Sequence, residues 1–191
     1  MFLESKKTER IKLYCGFDDG KFSKNRGIPM NKEIVDARLG CIFGALVGDA
    51  AGAYLEFIGH KPSPEEVEKA MTMPGGGIWE LAPGQITDDG ELTLCLDQAL
   101  REGEKFDREN IAAWYNKWYA SRPFDIGNTT SASIGCPQRL SSEEFANYSG
   151  YADAMTQSAK KNCMNSKANG SLMRATPLAA WAWNRSDAEI A

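Results

Sequence analysis

Histidine is nearly missing: His60 is the one imidazole in 191 residues. Ser-His-Asp or Cys-His catalysis would have to rest on it, and a multi-histidine metal site within this chain is excluded. Cysteine is present but unorganised. Cys15, Cys41, Cys95, Cys136 and Cys163 are odd in number and scattered, with no Cys-x-x-Cys pair, so a zinc ribbon or a disulfide framework is a poor reading. Cys41 and Cys95 fall inside apolar helical patterns and read as small core residues. No apolar run approaches the length of a membrane span, and the start, Met1-Phe2-Leu3-Glu4-Ser5-Lys6-Lys7, lacks the apolar core of a signal peptide, which makes a cytoplasmic location the default expectation. Positive charge is not in excess either: 22 Lys and Arg against 26 Asp and Glu give a net charge of −4, which argues against a general binder of nucleic acid or of anionic membranes. Almost no segment alternates as a half-buried strand does. Carboxylates, hydroxyls and helical periodicity remain, in a chain long enough for one well-formed core and, at 42% hydrophobic and 25% charged, ordinary for a globular protein. The fold class expected is all-α.

Residues 1–30 are polar, with charges, Gly and Asp dispersed among a few apolar positions. They read as a loosely held extension with a turn at Asp18-Asp19-Gly20, ahead of a helical domain over 31–191. Asn31 is a fitting N-cap. From Lys32, the positions Ile34, Val35, Leu39, Ile42, Phe43, Leu46 and Val47 recur with helical period to about Phe57. This helix carries Gly40, Gly44, Gly48 and Gly52, each costing roughly 1 kcal/mol relative to alanine. Their i, i+4 spacing makes a bare stripe for close approach of another backbone or a ligand, and tight helix–helix packing accounts for most of it. Asp49 and Glu56 lie beside its far end, and a carboxylate at the end of a mostly buried helix is costly unless it binds something; Glu56 is the better functional choice.

A Pro- and Gly-rich connection over 60–82 holds a short helix near Pro64–Ala70. Gln85-Ile86-Thr87-Asp88-Asp89 then opens an apolar helix, placing a hydroxyl and two carboxylates, hard oxygen ligands suited to Mg²⁺, Mn²⁺ or Ca²⁺, in three consecutive positions. The spacing Asp88-x-x-Glu91 is equally that of a capping box, and acidic residues favour helix starts for the dipole alone. Asp107 caps a further helix with Ile111, Trp114, Tyr115 and Trp118 on a core-facing side. Past Arg122-Pro123 comes Phe124-Asp125-Ile126-Gly127-Asn128-Thr129-Thr130, whose amide and hydroxyls display donors or simply cap a helix from Ser131. Residues 136–166 are polar and loop-rich with some helical tendency. Asn169-Gly170-Ser171-Leu172-Met173-Arg174 precedes a helix with Leu178, Ala179 and Trp181; Arg174 could be a buried ion-pair partner or an anion clamp. Ser186-Asp187-Ala188-Glu189-Ile190-Ala191 has the look of another helix opening.

Four segments in order, Gly44-Ala45-Leu46-Val47-Gly48-Asp49-Ala50-Ala51-Gly52 with Glu56, Gln85 to Asp89, Phe124 to Thr130, and Asn169 to Arg174, together resemble the ADP-ribosylglycohydrolase family over residues 36–185. The resemblance implies a compact all-α domain that removes ADP-ribose from a protein or small acceptor by cleaving an N- or O-glycosidic bond with two divalent ions, Mg²⁺ or in some members Mn²⁺. It implies metal ligation by Thr87, Asp88, Asp89 and Glu56, catalytic roles for Glu56 and Asp88, and a ribose and diphosphate pocket lined by Asn128, Thr129, Asn169, Gly170 and Ser171. The family usually has threonine where this chain has Gly90. It also completes its metal site with a downstream Asp-x-Asp/Asn-Ser/Thr motif that nothing after Asp89 matches; Asp97, Asp107, Asp125, Asp153 and Asp187 stand isolated in the sequence. The chain therefore reads as the N-terminal portion of the family's domain, truncated at the C-terminus, with apolar faces such as Leu178/Trp181 left uncovered. Two alternatives to the hydrolase stay open: a non-catalytic ADP-ribose-binding module, and an incomplete fragment.

Overall fold

The computed structural model describes residues 32–103, 105–186 and 188. The expected 1–30 extension, its Asp18-Asp19-Gly20 turn, the Asn31 cap and most of the terminal helix opening lie outside the described residues.

The described helices run α1 Lys32–Gly52, α2 Pro64–Met71, α3 Asp88–Glu102, α4 Arg108–Ala120, α5 Asn128–Ile134, α6 Cys136–Arg139, α7 Ser142–Phe145, α8 Tyr151–Asn162 and α9 Thr176–Ala182, with a 3-10 turn at Ala53–Leu55 after α1. Among the described residues there is no strand, only a bridge between Gly76 and Leu81, and no helix is long and apolar enough to cross a membrane. The fold is all-α.

Local chemistry accounts for the helix starts. Ser63 and Glu66 form a full capping box on α2, with Pro64 in the first turn where its missing N–H costs nothing. Asp107 accepts from the amides of Glu109 and Asn110 at the start of α4. The α3 helix is the spine. Its Leu92, Cys95, Leu96, Ala99 and Leu100 join Ile111, Ala112, Tyr115 and Trp118 of α4, Ile134 of α5 and Met155 of α8 in one core. A fully buried side chain of this kind contributes about 1.5–3 kcal/mol. Trp118 and Cys95 are wholly enclosed, so Cys95 is the core residue its pattern foretold, and burial pushes its thiol pKa up. Cys41 sits half-buried on α1, its thiol against the Thr176 carbonyl at 3.5 Å. The buried Trp118 indole donates to Glu91 at 2.6 Å, which satisfies both polar groups inside the core.

Three expectations change. Among the described residues the glycine stripe of α1 is not a packing seam: an added Cβ at Gly40, Gly44, Gly48 or Gly52 would meet none of them within 4 Å. Leu178 and Trp181 are not stranded but pack half-buried against the core. Helix α5 begins at Asn128, three residues before the expected Ser131 start.

Candidate functional site

Two helix ends meet to build the site. The C-terminal turn of α1 presents Asp49, and the first turn of α3 presents Asp88 and Asp89. Thr87 is the N-cap of α3 but its side chain caps nothing. Asp49 does the capping from across the interface: its Oδ2 accepts from the Thr87 and Gly90 amides, both at 2.8 Å, and its Oδ1 from the Thr87 hydroxyl at 2.7 Å. The capping box expected between Asp88 and Glu91 is thus absent, because Asp88 is the first helical residue and Glu91 is engaged with Trp118. Gly90 explains part of this geometry. A Cβ there would stand 2.6 Å from Asp49 Oδ2 and 2.8 Å from the Ile86 Cβ, so glycine lets the carboxylate close on the helix end.

The remaining acids converge on the same place. Asp88 is buried, at 7% exposure. Burial, then the charges of Asp125 and Asp89 and a hydrogen bond shared with Asp89, push its pKa up to about 8, while the Gly127 amide opposes. Asp89 is raised by burial first and by Asp49 and Glu56 next. Asp125 is pushed up to about 6 by burial and by the charges of Glu56, Asp89, Asp49 and Glu91. Asp49 is raised by burial in spite of its three hydrogen bonds. Glu56 is fixed by the Trp79 indole, which donates to its Oε2 at 2.9 Å, and Trp79 packs edge-on against Phe124, the neighbour of Asp125, at 6.1 Å.

Thr87, Asp88, Asp89 and Glu56 are therefore brought to one locality. Two further carboxylates join that locality. Asp125 stands isolated along the chain, and only folding sets it beside Asp88. Asp49, to which the sequence gives second place after Glu56, holds the head of α3. Its signal was the adjacent glycine and a carboxylate at the end of a partly buried helix. His60 stands apart and exposed, against Glu66 at 3.1 Å.

The expected ribose and diphosphate residues lie on the first turn of α5 and on the loop before α9, which touch. Thr129 Oγ1 and Ser166 Oγ are 2.8 Å apart, and a Cβ at Gly170 would be 2.5 Å from the buried Thr130 hydroxyl. These segments bound a cavity of about 570 Å³ lined by Thr129, Thr130, Ser166, Gly170, Ser171 and Arg174 over an apolar floor including Ile134 and Met155. Asn128, which opens α5, and Asn169, whose carbonyl accepts from the Leu172 and Met173 amides, are not among the residues lining it. Arg174 stands in a turn before α9 rather than on a helix. Among the described residues it makes no ion pair: its guanidinium lies over the Tyr115 ring at 4.7 Å, and Nη1 is buried without a hydrogen-bond partner.

Carboxylates whose pKa values are raised by burial first and by one another's charge next are a donor set suited to a divalent cation. Among the described residues, however, no three carboxylate, histidine or cysteine side chains converge closely enough to hold one by themselves.

The described residues thus form a helical domain with an acidic cluster where two helix ends meet and a separate cavity bounded by Thr129, Thr130, Ser166 and Ser171. The chain belongs to the ADP-ribosylglycohydrolase family, whose model matches residues 30–191. A protein of Acanthamoeba polyphaga mimivirus that carries the ADP-ribosyl glycohydrolase name is 34% identical over 149 residues, 76% of this chain and 41% of that one. The ADP-ribosyl-[dinitrogen reductase] glycohydrolase of Rhodospirillum rubrum is 39% identical over 99 residues, covering 52% of this chain and 34% of the enzyme. A solved structure of an ADP-ribosylglycohydrolase-related protein complex superposes with a TM-score of 0.53 at 32% identity, over 78% of this chain and 44% of that one. The chain spans less than half the length of each of these relatives.

Proposed function

We propose that the protein acts as a hydrolase on ADP-ribose conjugates, cleaving the N- or O-glycosidic bond to a protein or small acceptor with the help of divalent cations, Mg²⁺ or Mn²⁺. The observation that carries this reading is the convergence of Asp49, Glu56, Asp88, Asp89 and Asp125, with the Asp88 carboxyl hydrogen-bonded to the amide of Gly127, at the head of the loop leading into the cavity.

Cleavage at the anomeric carbon of ADP-ribose passes through an oxocarbenium-like state. Asp88, Asp89, Glu56 and Thr87, joined by Asp125, are the residues that would hold cations, which supply Lewis-acid charge for the ribose hydroxyls and for water. Glu56 would orient or deprotonate the attacking water through Oε1, and the Trp79 indole that donates to its Oε2 supports that role. Asp49 keeps the Thr87–Gly90 turn in the conformation that presents the two aspartates. Thr129, Gly170 and Ser171 would offer hydroxyls and backbone to the sugar and diphosphate, with Asn128 beside Thr129 at the start of α5 and Asn169 beside Gly170 in the loop before α9. No histidine or thiol is needed, in keeping with the composition. Neither nucleic acid nor a membrane enters this reading, and a cytoplasmic setting agrees with it.

The test is release of ADP-ribose from an ADP-ribosylated protein and from a small ADP-ribosyl conjugate, with Mg²⁺ or Mn²⁺ and with chelator. Cation-dependent release that disappears in Asp88→Asn supports the reading; turnover unaltered by that substitution removes the metal role. One observation favours a second reading: no three ligands converge among the described residues. On that reading the chain retains the cavity as an ADP-ribose-binding module. It predicts calorimetric binding of ADP-ribose that chelators leave unchanged, without hydrolysis.

A further inference from the structure

The cavity beside α8 carries charge of one sign. Arg108, Lys160 and Arg174 stand among its lining residues and no Asp or Glu does, although the chain as a whole bears a net charge of −4. A concave wall lined by one sign of charge concentrates ions of the other. Two of the three cations belong to the rim: Arg108 and Lys160 are exposed, and Arg108 is already engaged, donating to the Thr156 hydroxyl at 3.0 Å. Arg174 is different. Its guanidinium lies at 4.7 Å over the ring of Tyr115, a residue only 8% exposed. Its Nη1 is buried and donates to nothing among the described residues. A guanidinium does not shed its charge, and the Tyr115 ring attracts that charge without serving as an oxygen acceptor. A buried charged donor without an acceptor is the costliest kind of unmade hydrogen bond, so the arrangement calls for an anion.

The rest of the cavity sets the shape of the ligand. At about 570 Å³ it has the size of a small-molecule site. Away from the charges, Ile111, Ala112, Ile134 and Met155 line it with apolar surface continuous with the core. We propose that Arg174 is the anion-binding residue of this cavity and that its ligand is an organic phosphate, the phosphate on the guanidinium and the less polar body along the wall of α4, α5 and α8. Phosphate fits better than carboxylate. Three cations and no acid match a group of two negative charges, and the guanidinium fork takes two of its oxygens at once. The diphosphate of ADP-ribose is one such group. In naming it the inference rests on the proposed function; the residue and its cavity do not.

The chain is stripped of divalent cations on a chelating resin, so that no phosphate binds through a metal on the carboxylates. ADP, adenosine, inorganic pyrophosphate and ADP-ribose are then titrated into it by calorimetry at fixed ionic strength. ADP binds, and adenosine and pyrophosphate each bind about tenfold or more weakly, since one lacks the charge and the other the body. Arg174→Gln lowers the affinity for ADP by about tenfold or more and leaves that for adenosine unchanged; Arg174→Lys, which keeps the charge and loses the fork, falls between. Ala159→Trp, which fills the cavity from α8, abolishes ADP binding. ADP that binds Arg174→Gln as tightly as the parent overturns the proposal. So does adenosine or pyrophosphate that matches ADP, or a cooperatively melting chain that binds no phosphate. Should Arg174→Gln not melt cooperatively, Arg174→Lys and Ala159→Trp decide, and an unchanged ADP affinity in either overturns it. The proposed function fails separately: ADP held through Arg174 with ADP-ribose left unbound removes the hydrolase reading and keeps this one, whereas ADP-ribose bound equally by Arg174→Gln does the reverse.

Discussion

Asp88 is the residue on which the site's behaviour turns. Its pKa of about 8 stands well above the ordinary carboxylate value of 3.8, because it is buried and faces Asp125 and Asp89. A folded-state pKa above the unfolded one means that the folded state binds more protons between those two values, so stability is highest below about 4 and is lost as pH rises towards about 8. The melting temperature of the cation-free chain should therefore fall across that window, and Asp88→Asn should flatten the dependence; an unchanged slope would show that the carboxyl is not proton-bearing in the fold. Cations compete with the same protons, so Mg²⁺ affinity measured by calorimetry should rise with pH through this range, and Asp88→Asn should abolish it. Asp125→Asn should leave the fold intact and weaken cation binding by about tenfold, the loss of one charged oxygen ligand. An Asp125→Asn variant that binds as before would assign Asp125 to the surroundings of the site instead.

At the scale of elements, the decisive joint is between α1 and α3. Asp49 satisfies two amides and a hydroxyl at the head of α3. Replacing it by alanine leaves those donors without their acceptor and should cost about 2 kcal/mol, read from denaturant unfolding. Asp49→Asn keeps an acceptor and should recover part of that loss. The contact between the two hydroxyl-bearing segments is as close. In Gly170→Ala the new methyl would press on Thr130, whose hydroxyl is 2.5 Å from where the Cβ must go, and the segments would part by some tenths of an ångström. We expect ADP-ribose affinity to fall by about tenfold, the order a displaced contact in a preformed pocket produces, with a smaller loss of thermal stability. Equal affinity for ADP-ribose in this variant would separate the cavity from the substrate.

For the whole molecule, a ligand that binds only the folded state raises its stability in proportion to the logarithm of its concentration. Mg²⁺ at about a hundred times its dissociation constant should add about 2.7 kcal/mol, which for a chain of this size is a rise in melting temperature of about 5–10 °C. The absence of any shift in a chain that melts cooperatively would mean that the described acids are too few to bind without further ligands. The core of α3, α4, α5 and α8 is independent of that outcome, since it is apolar and already closed around Trp118.

The sequence by itself determined the helices and most of the site's vocabulary. The apolar period placed α3 and α4, since residues three or four apart on one helix share a face wherever the rest of the chain goes; Asp107 marked a start, and Thr87, Asp88 and Asp89 declared themselves as three hard oxygen side chains in a row. The order of four motifs was enough to suggest the family. What only the tertiary structure decided was which residues meet across elements. Asp125 joins Asp88 although 37 positions separate them along the chain. Asp49 caps a helix that begins 39 residues later, Glu91 turns inward to Trp118, and the glycines of α1 line no seam among the described residues. Periodicity reports which side of a helix is apolar, but not what lies against it. That is set by how the helices dock, and docking depends on contacts between residues that no local pattern relates.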